Sequence, residues 1–198
     1  MKTTLLILSL LLLQCCSEKD NGFTPTLPPI TQTGANTFGC YIDGKLLTPR
    51  DGTGTFNLPD SGMSYTGLGI APNYDYNEIK VHDFKSGTGG LMDIHIHNLH
   101  AIGEGSYVIN ESNCEDNVDA NQNVNIRCRW WDENLQVYKW YCSMENSGTL
   151  NINRYDFKNR IVSGTFECTA QNRDDPNEII EITQGRFDIK WDAIPSFP

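Results

Sequence analysis

All four histidines of the chain, His82, His95, His97 and His100, fall within nineteen residues. Imidazole is the side chain most apt to ligate a transition metal or move a proton near neutral pH. In Asp93-Ile94-His95-Ile96-His97 the isoleucines alternate with polar residues, so an extended backbone sends Asp93, His95 and His97 to one face. Two imidazoles two residues apart on a strand can grip one metal ion, with His82 or Asp93 completing the set where the strands pair suitably. A metal-dependent enzyme built on His95 and His97 is the function such a site implies. The same pattern also describes the wet face of a half-buried strand, where polar residues belong. The expectation is therefore no cofactor, with a metal ion at His82, Asp93, His95 and His97 as the alternative.

Two other segments carry ligand chemistry. Asn117-Val118-Asp119-Ala120-Asn121-Gln122-Asn123 alternates oxygen-bearing side chains as calcium loops do. It lacks a glycine at the tight turn, and Cys128 stands where a bidentate glutamate would close an EF-hand loop, so it reads as solvated loop. Trp130, Trp131, Tyr138, Trp140 and Tyr141 crowd one hairpin. Consecutive aromatics on a strand point to opposite faces. Trp130, Tyr138 and Trp140 are assigned to the core, and Trp131 and Tyr141 project outward with Arg127, Arg129 and Lys139. Such an outward pair can stack on a sugar or a small apolar ligand; a second buried layer is the plainer alternative. The chain has no G-x-S-x-G elbow, no H-E-x-x-H and no P-loop. It has no C-x-x-C either, which argues against a zinc ribbon or a thioredoxin-like centre. The expected activity is non-catalytic.

The elements that would position these residues are strands. Alternation runs through Tyr65–Ile70, Glu78–Phe84, Met92–His97, Ser106–Ile109, Asn123–Trp131, Val137–Met144, Thr149–Tyr155, Ile161–Ala170, Glu178–Thr183 and Phe187–Trp191. Turn-forming clusters separate them, among them Ser86-Gly87-Thr88-Gly89-Gly90, Asp132-Glu133-Asn134 and Arg173-Asp174-Asp175-Pro176-Asn177. Roughly ten short strands without a helical period predict an all-β domain, either a single antiparallel β-sandwich or an up-and-down β-barrel.

Cysteine pairing has competing solutions. A loop centred on Leu135 would put Cys128 opposite Cys142 and Trp130 opposite Trp140. A three-residue loop ending with Asn134 in a left-handed conformation shifts the register by four. Cys114 is then a rival partner for Cys128 or Cys142. Cys40 and Cys168 complete an odd set.

The first residues give an address. Lys2 precedes an apolar run, Leu5–Leu13, interrupted by Ser9, and Leu13-Gln14-Cys15-Cys16 has the form of a lipobox. The run is too short for a membrane span, which takes about 20 residues, and has the size of a cleaved signal. Residues 1–15 are expected to be a lipoprotein signal peptide. Cys16 is the expected lipidation site, with Cys15 the alternative, because small Cys15 then occupies the position before the cut. Residues 16–37, rich in proline and threonine, are expected to form a tether, and 38–198 one β-rich domain. The net charge of −10 repels phosphate backbones and argues against nucleic acid as a partner.

Four motifs recur in order: Asn36-Thr37-Phe38-Gly39-Cys40-Tyr41-Ile42-Asp43-Gly44-Lys45, Gly148-Thr149-Leu150-Asn151-Ile152, Ile161-Val162-Ser163-Gly164-Thr165-Phe166-Glu167-Cys168 and Ile182-Thr183-Gln184-Gly185-Arg186-Phe187-Asp188. The chain resembles an uncharacterised family of Bacteroidota lipoproteins, common in flavobacteria, with one β-rich domain behind a lipobox. Cys168 departs from the aromatic residue expected there. The resemblance implies a lipid-anchored protein of the outer membrane, on its periplasmic or cell-surface side. Ser17-Glu18-Lys19-Asp20 resembles the charged tether of surface-exposed members. The partners expected are the membrane, through the lipid, and a glycan or an envelope protein.

Overall fold

The structure is a computed structural model and describes residues 24–54, 61–70, 73–85 and 89–196. The expected signal peptide, residues 1–15, and both candidate lipidation residues, Cys15 and Cys16, lie outside the described residues. Ten strands form one antiparallel sheet curled into a half-barrel. They are β1 (Thr37–Ile42), β2 (Lys45–Leu47), β3 (Met63–Ile70), β4 (Asn73–His82), β5 (Leu91–His97), β6 (Gly105–Ile109), β7 (Val124–Asp132), β8 (Val137–Asp156), β9 (Ile161–Asn172) and β10 (Ile179–Lys190). A one-turn helix, α1 (Leu99–Ile102), precedes β6. The order is β2-β1-β10-β9-β8-β7-β5-β4-β3, with β6 pairing to β8 off this path. A single curled sheet encloses the core, so of the two expected architectures the barrel is the nearer, and it stays open between β2 and β3.

The curl brings the two ends of the sheet together. Tyr65 of β3 stacks on Trp191, just past β10, with ring centroids 5.4 Å apart. Cys40 Sγ of β1 lies 4.0 Å from Met92 Sδ of β5. Arg50, beyond β2, grips Asp83, beyond β4, through Nε–Oδ1 at 2.6 Å and Nη2–Oδ2 at 2.8 Å. Inside, Phe38, Ile42, Leu47, Ile79, Met92, Ile94, Ile126, Leu150 and Ile182 are fully buried, each worth about 1.5–3 kcal/mol of transfer free energy.

Two expected strand breaks are bulges within longer strands. Val137–Met144 and Thr149–Tyr155 are one strand, β8, in which Asn146 takes φ 54° and the pairing with β9 shifts between Ser143 and Gly148. Gly148 sits where a Cβ would collide with Glu167 O and Cys168. Glycine there marks close approach of backbones and not a turn. Glu178–Thr183 and Phe187–Trp191 merge likewise into β10 around Gln184, φ 52°, and Gly185, which lies against the Phe166 ring.

The β7–β8 hairpin closes with Asp132 opposite Val137. Its loop spans Glu133 to Gln136: Asp132 Oδ1 accepts the N–H groups of Asn134 and Leu135, and Gln136 takes φ 54°. This register differs by one residue from the loop centred on Leu135, and one residue reverses every facing. Cys128 lies opposite Tyr141 in the core, Cys142 opposite Arg127 on the outer face, and Trp130 opposite Lys139. The disulfide is accordingly Cys114–Cys142, with Cα atoms 5.5 Å apart, and the Cys128–Cys142 alternative is not formed. Cys40, Cys128 and Cys168 are free and buried. Burial pushes the Cys168 thiol up to about 12 and pushes Cys40 and Cys128 well up too. Because the thiolate is the reactive form, iodoacetamide is expected to spare all three in the native protein and to label all three in denaturant, as mass spectrometry would read. Native labelling at any of them would show that the core opens.

The segment before β1 is fastened to the sheet. Asp188 of β10, 1 % exposed, accepts hydrogen bonds from Thr31 Oγ1 at 2.7 Å, Thr33 N at 2.9 Å, Gly34 N at 2.8 Å, Ala35 N at 3.1 Å and Ser163 Oγ at 2.6 Å. Arg186 donates to Pro28 O, and Arg154 to Gln32 O. The described part of the expected 16–37 tether is therefore docked on the domain: polar groups scattered in the sequence converge on one buried carboxylate.

Candidate functional site

The outer face of β4, β5, β7 and β8 carries the densest polar chemistry among the described residues. Strand register sets it out in rows. Lys80 of β4, Asp93 of β5, Arg127 of β7 and Cys142 of β8 lie side by side, and Glu78, His95 and Asn125 form the next row. Segment 110–123 crosses over these rows. It is tied down by the Cys114–Cys142 disulfide, by Ser112 N donating to Ser143 O at 2.9 Å, and by Asn110 N donating to Val124 O at 2.8 Å. Residues on the expected wet face are thereby buried: Glu78 is 1 %, Asp93 3 % and His95 4 % exposed.

Beneath the segment lies an ionic network. Arg127 Nε donates to Asp93 Oδ2 at 2.7 Å, its Nη2 lies 2.9 Å from Asp116 Oδ2, and its Nη1 donates to Cys114 O at 2.8 Å. Lys80 Nζ sits 2.7 Å from Asp116 Oδ2 and 3.5 Å from Glu78 Oε1. The Asn117 amide donates to Glu78 Oε2 at 2.9 Å. Burial pushes the Asp93 carboxyl up to about 6 against the pull of Arg127, and Glu78 adds to the rise. For Asp116, burial opposes ionisation, but Lys80 and Arg127 outweigh it and hold the carboxyl below its usual range. Four atoms here are buried without a hydrogen-bond partner: Glu78 Oε1, Asp93 Oδ1, His95 Nδ1 and Asn117 Oδ1.

The histidines do not converge. His95 Nδ1 lies 3.6 Å from Glu78 Oε2, and its ring stacks on Tyr76 at 4.8 Å. His97, half-buried, is one row further along, opposite Tyr76. His82 is at the far end of β4 against Phe84, 4.7 Å between centroids; burial, with Arg129 and Lys80 nearby, lowers it to about 4. His100, on α1, meets Tyr155 Oη at 3.1 Å. Of the expected metal set, Asp93 alone joins a converging group of three: one oxygen from each of Glu78, Asp93 and Asp116 lies within 4.8 Å of the others. Glu78 and Asp116 escaped the sequence reading because a carboxylate in an alternating strand or an Asn/Asp-rich loop looks like ordinary surface. The 117–119 stretch forms a single 3-10 turn, and it is Asp116, just before it, that points into the cluster.

An arginine–aromatic ladder continues from the network along β7 and β8. Arg127 lies over Trp140 at 4.8 Å, Arg129 over Tyr138 at 4.5 Å, and Trp131 meets Tyr138 edge-on at 5.0 Å. Trp131 faces outward as expected, and its companion is Tyr138, 43 % exposed. Tyr141 is not the partner: it is buried, and its hydroxyl donates to Glu178 at 2.6 Å. The one-residue change of register exchanges the faces of Tyr138, Trp140 and Tyr141. Beside Trp131 is a small open depression that Lys45, Arg50, Asp83, Glu133 and Pro25 also line. No helix among the described residues is long and apolar enough to cross a membrane. Searches against family models, curated proteins and solved structures find no match to the chain.

Proposed function

We propose that the chain is a lipid-anchored bacterial envelope protein of the lipoprotein family it resembles, attached through Cys16 and presenting a non-catalytic β-domain that binds a glycan. The single observation that carries the glycan reading is the outward pair Trp131 and Tyr138, with the Arg129 guanidinium over the Tyr138 ring. An aromatic face stacks on the C–H face of a sugar ring, and the neighbouring guanidinium and carboxylates supply directional hydrogen bonds to its hydroxyls. The Cys114–Cys142 bridge supports export, since disulfides persist in oxidising compartments. Catalysis by a metal between His95 and His97 gains no support from the placement of those side chains.

A glycan array followed by calorimetry tests the reading. Trp131→Ala is expected to weaken the best glycan by about tenfold or more, the loss of one stacking contact of about 1.4 kcal/mol, with the circular dichroism spectrum unchanged. Failure of the wild-type protein to bind any glycan would overturn it.

A further inference from the structure

We propose that Glu78, Asp93 and Asp116, with Asn117, form a binding site for a hard divalent cation, calcium above all, beneath the disulfide-tied segment 110–123. The geometry comes from three separate elements, β4, β5 and the crossing segment, whose carboxylates approach within 4.8 Å of one another. Two of them divide their oxygens between tasks. Asp93 uses Oδ2 for Arg127 and Glu78 uses Oε2 for the Asn117 amide. Asp93 Oδ1 and Asn117 Oδ1 are left buried with no hydrogen-bond partner, and Glu78 Oε1 has only the long ionic contact of Lys80 at 3.5 Å. Unpaired buried oxygens are rare in native folds and call for an occupant.

A second observation is a buried imidazole beside the cluster. The His95 imidazole is 4 % exposed, its Nδ1 is unpartnered, and it lies 3.6 Å from Glu78 Oε2. A nitrogen at that distance from a ligating carboxylate is placed to hydrogen-bond a water held by the ion, the kind of supporting contact metal sites use.

Donor chemistry names the ion class. Three of the four unpartnered atoms here, Glu78 Oε1, Asp93 Oδ1 and Asn117 Oδ1, are carboxylate or amide oxygens, which suit calcium or magnesium and not a soft metal. Calcium tolerates the irregular geometry of such a set and completes its shell with water. Three carboxylates stand against the two cations Lys80 and Arg127, so acidic groups outnumber basic ones in the cluster. Arg127 is fixed by Asp93, Asp116 and Cys114 O. Lys80 is the displaceable cation: its side chain is 21 % exposed, and its ammonium contacts the Glu78 and Asp116 oxygens that the ion would take. The expected affinity is modest, about 10⁻⁴ to 10⁻³ M, the range of extracellular calcium modules. The inference does not depend on the glycan reading.

Calcium chloride titrated calorimetrically into chelator-stripped full-length protein in detergent tests the site, with magnesium chloride as the second probe. One saturable site is expected. Lys80→Met, which removes the competing ammonium, is expected to tighten it by about tenfold, and Glu78→Gln to abolish it. Absence of calcium binding in both the wild type and a folded Lys80→Met protein overturns the proposal. So does binding that Glu78→Gln leaves unchanged, which would be diffuse attraction to an acidic surface. Should Glu78→Gln fail to fold, the Lys80→Met titration decides alone.

Discussion

Replacing Asp188 by alanine is expected to cost the domain about 4 kcal/mol, close to the upper end for a single substitution. The loss follows from the donors it strands. The amides of Thr33, Gly34 and Ala35 and the hydroxyls of Thr31 and Ser163 all converge on this carboxylate, and charge-assisted hydrogen bonds are the strong ones. Urea unfolding reads the stability, and limited proteolysis reads the detachment, with new cleavage expected within residues 31–36. Burial alone would raise the Asp188 carboxyl, but the hydrogen bonds from Ser163, Thr31 and the Thr33 and Gly34 amides outweigh it and hold it well below the usual carboxylate range. A depressed folded-state value means that the stabilisation is complete above the unfolded-state value, near 4, and drains away as pH falls towards the folded one. The stability gap between wild type and Asp188→Asn should therefore be constant at neutral pH and shrink below about pH 4. A gap that stays level to pH 2 would show that the carboxylate is not the anchor.

Loss of the Cys114–Cys142 bridge should have the next largest effect. It closes a loop with a sequence separation of 28, worth about 3–4 kcal/mol on the chain-entropy account. Cys114→Ala is expected to lower Tm by about 10 °C. The bridge also holds segment 110–123 over Glu78 and Asp93, so its removal should speed hydrogen exchange at the Asn117 amide, which donates to Glu78. Faster exchange there with exchange in β9 unchanged would separate local lifting from global destabilisation. An unaltered Tm would show that the ionic network alone secures the segment.

How much of this was legible in the sequence differs by element. The strands were, because Met92, Ile94 and Ile96 alternate with Asp93, His95 and His97 whatever the tertiary fold. The long β8 and β10 were not: Asn146-Ser147-Gly148 and Gln184-Gly185 carry turn chemistry, and only the Cys168 and Phe166 neighbours reveal that those glycines make room for a close approach, of backbone at Gly148 and of the Phe166 ring at Gly185. Cysteine pairing and the facing of Tyr141 both hung on one residue of hairpin loop, decided by the Asp132 side chain accepting two amides. That interaction leaves the same Asp-Glu-Asn string in every register. Glu78 and Asp116 are 38 residues apart in sequence, and nothing local to either announces the other.

The docking of residues 24–36 also bears on where the molecule can work. Pro25 already lies beside Trp131 and Lys45, so the first described residues sit next to the aromatic ladder. With Cys16 in the lipid as proposed, nine residue steps remain, about 30 Å when fully stretched. The ladder would then stay within that reach of the bilayer. Whatever it grips must be found within one short chain's length of the headgroups, such as a sugar that is itself membrane-bound, and long polymers further out would be beyond its grasp.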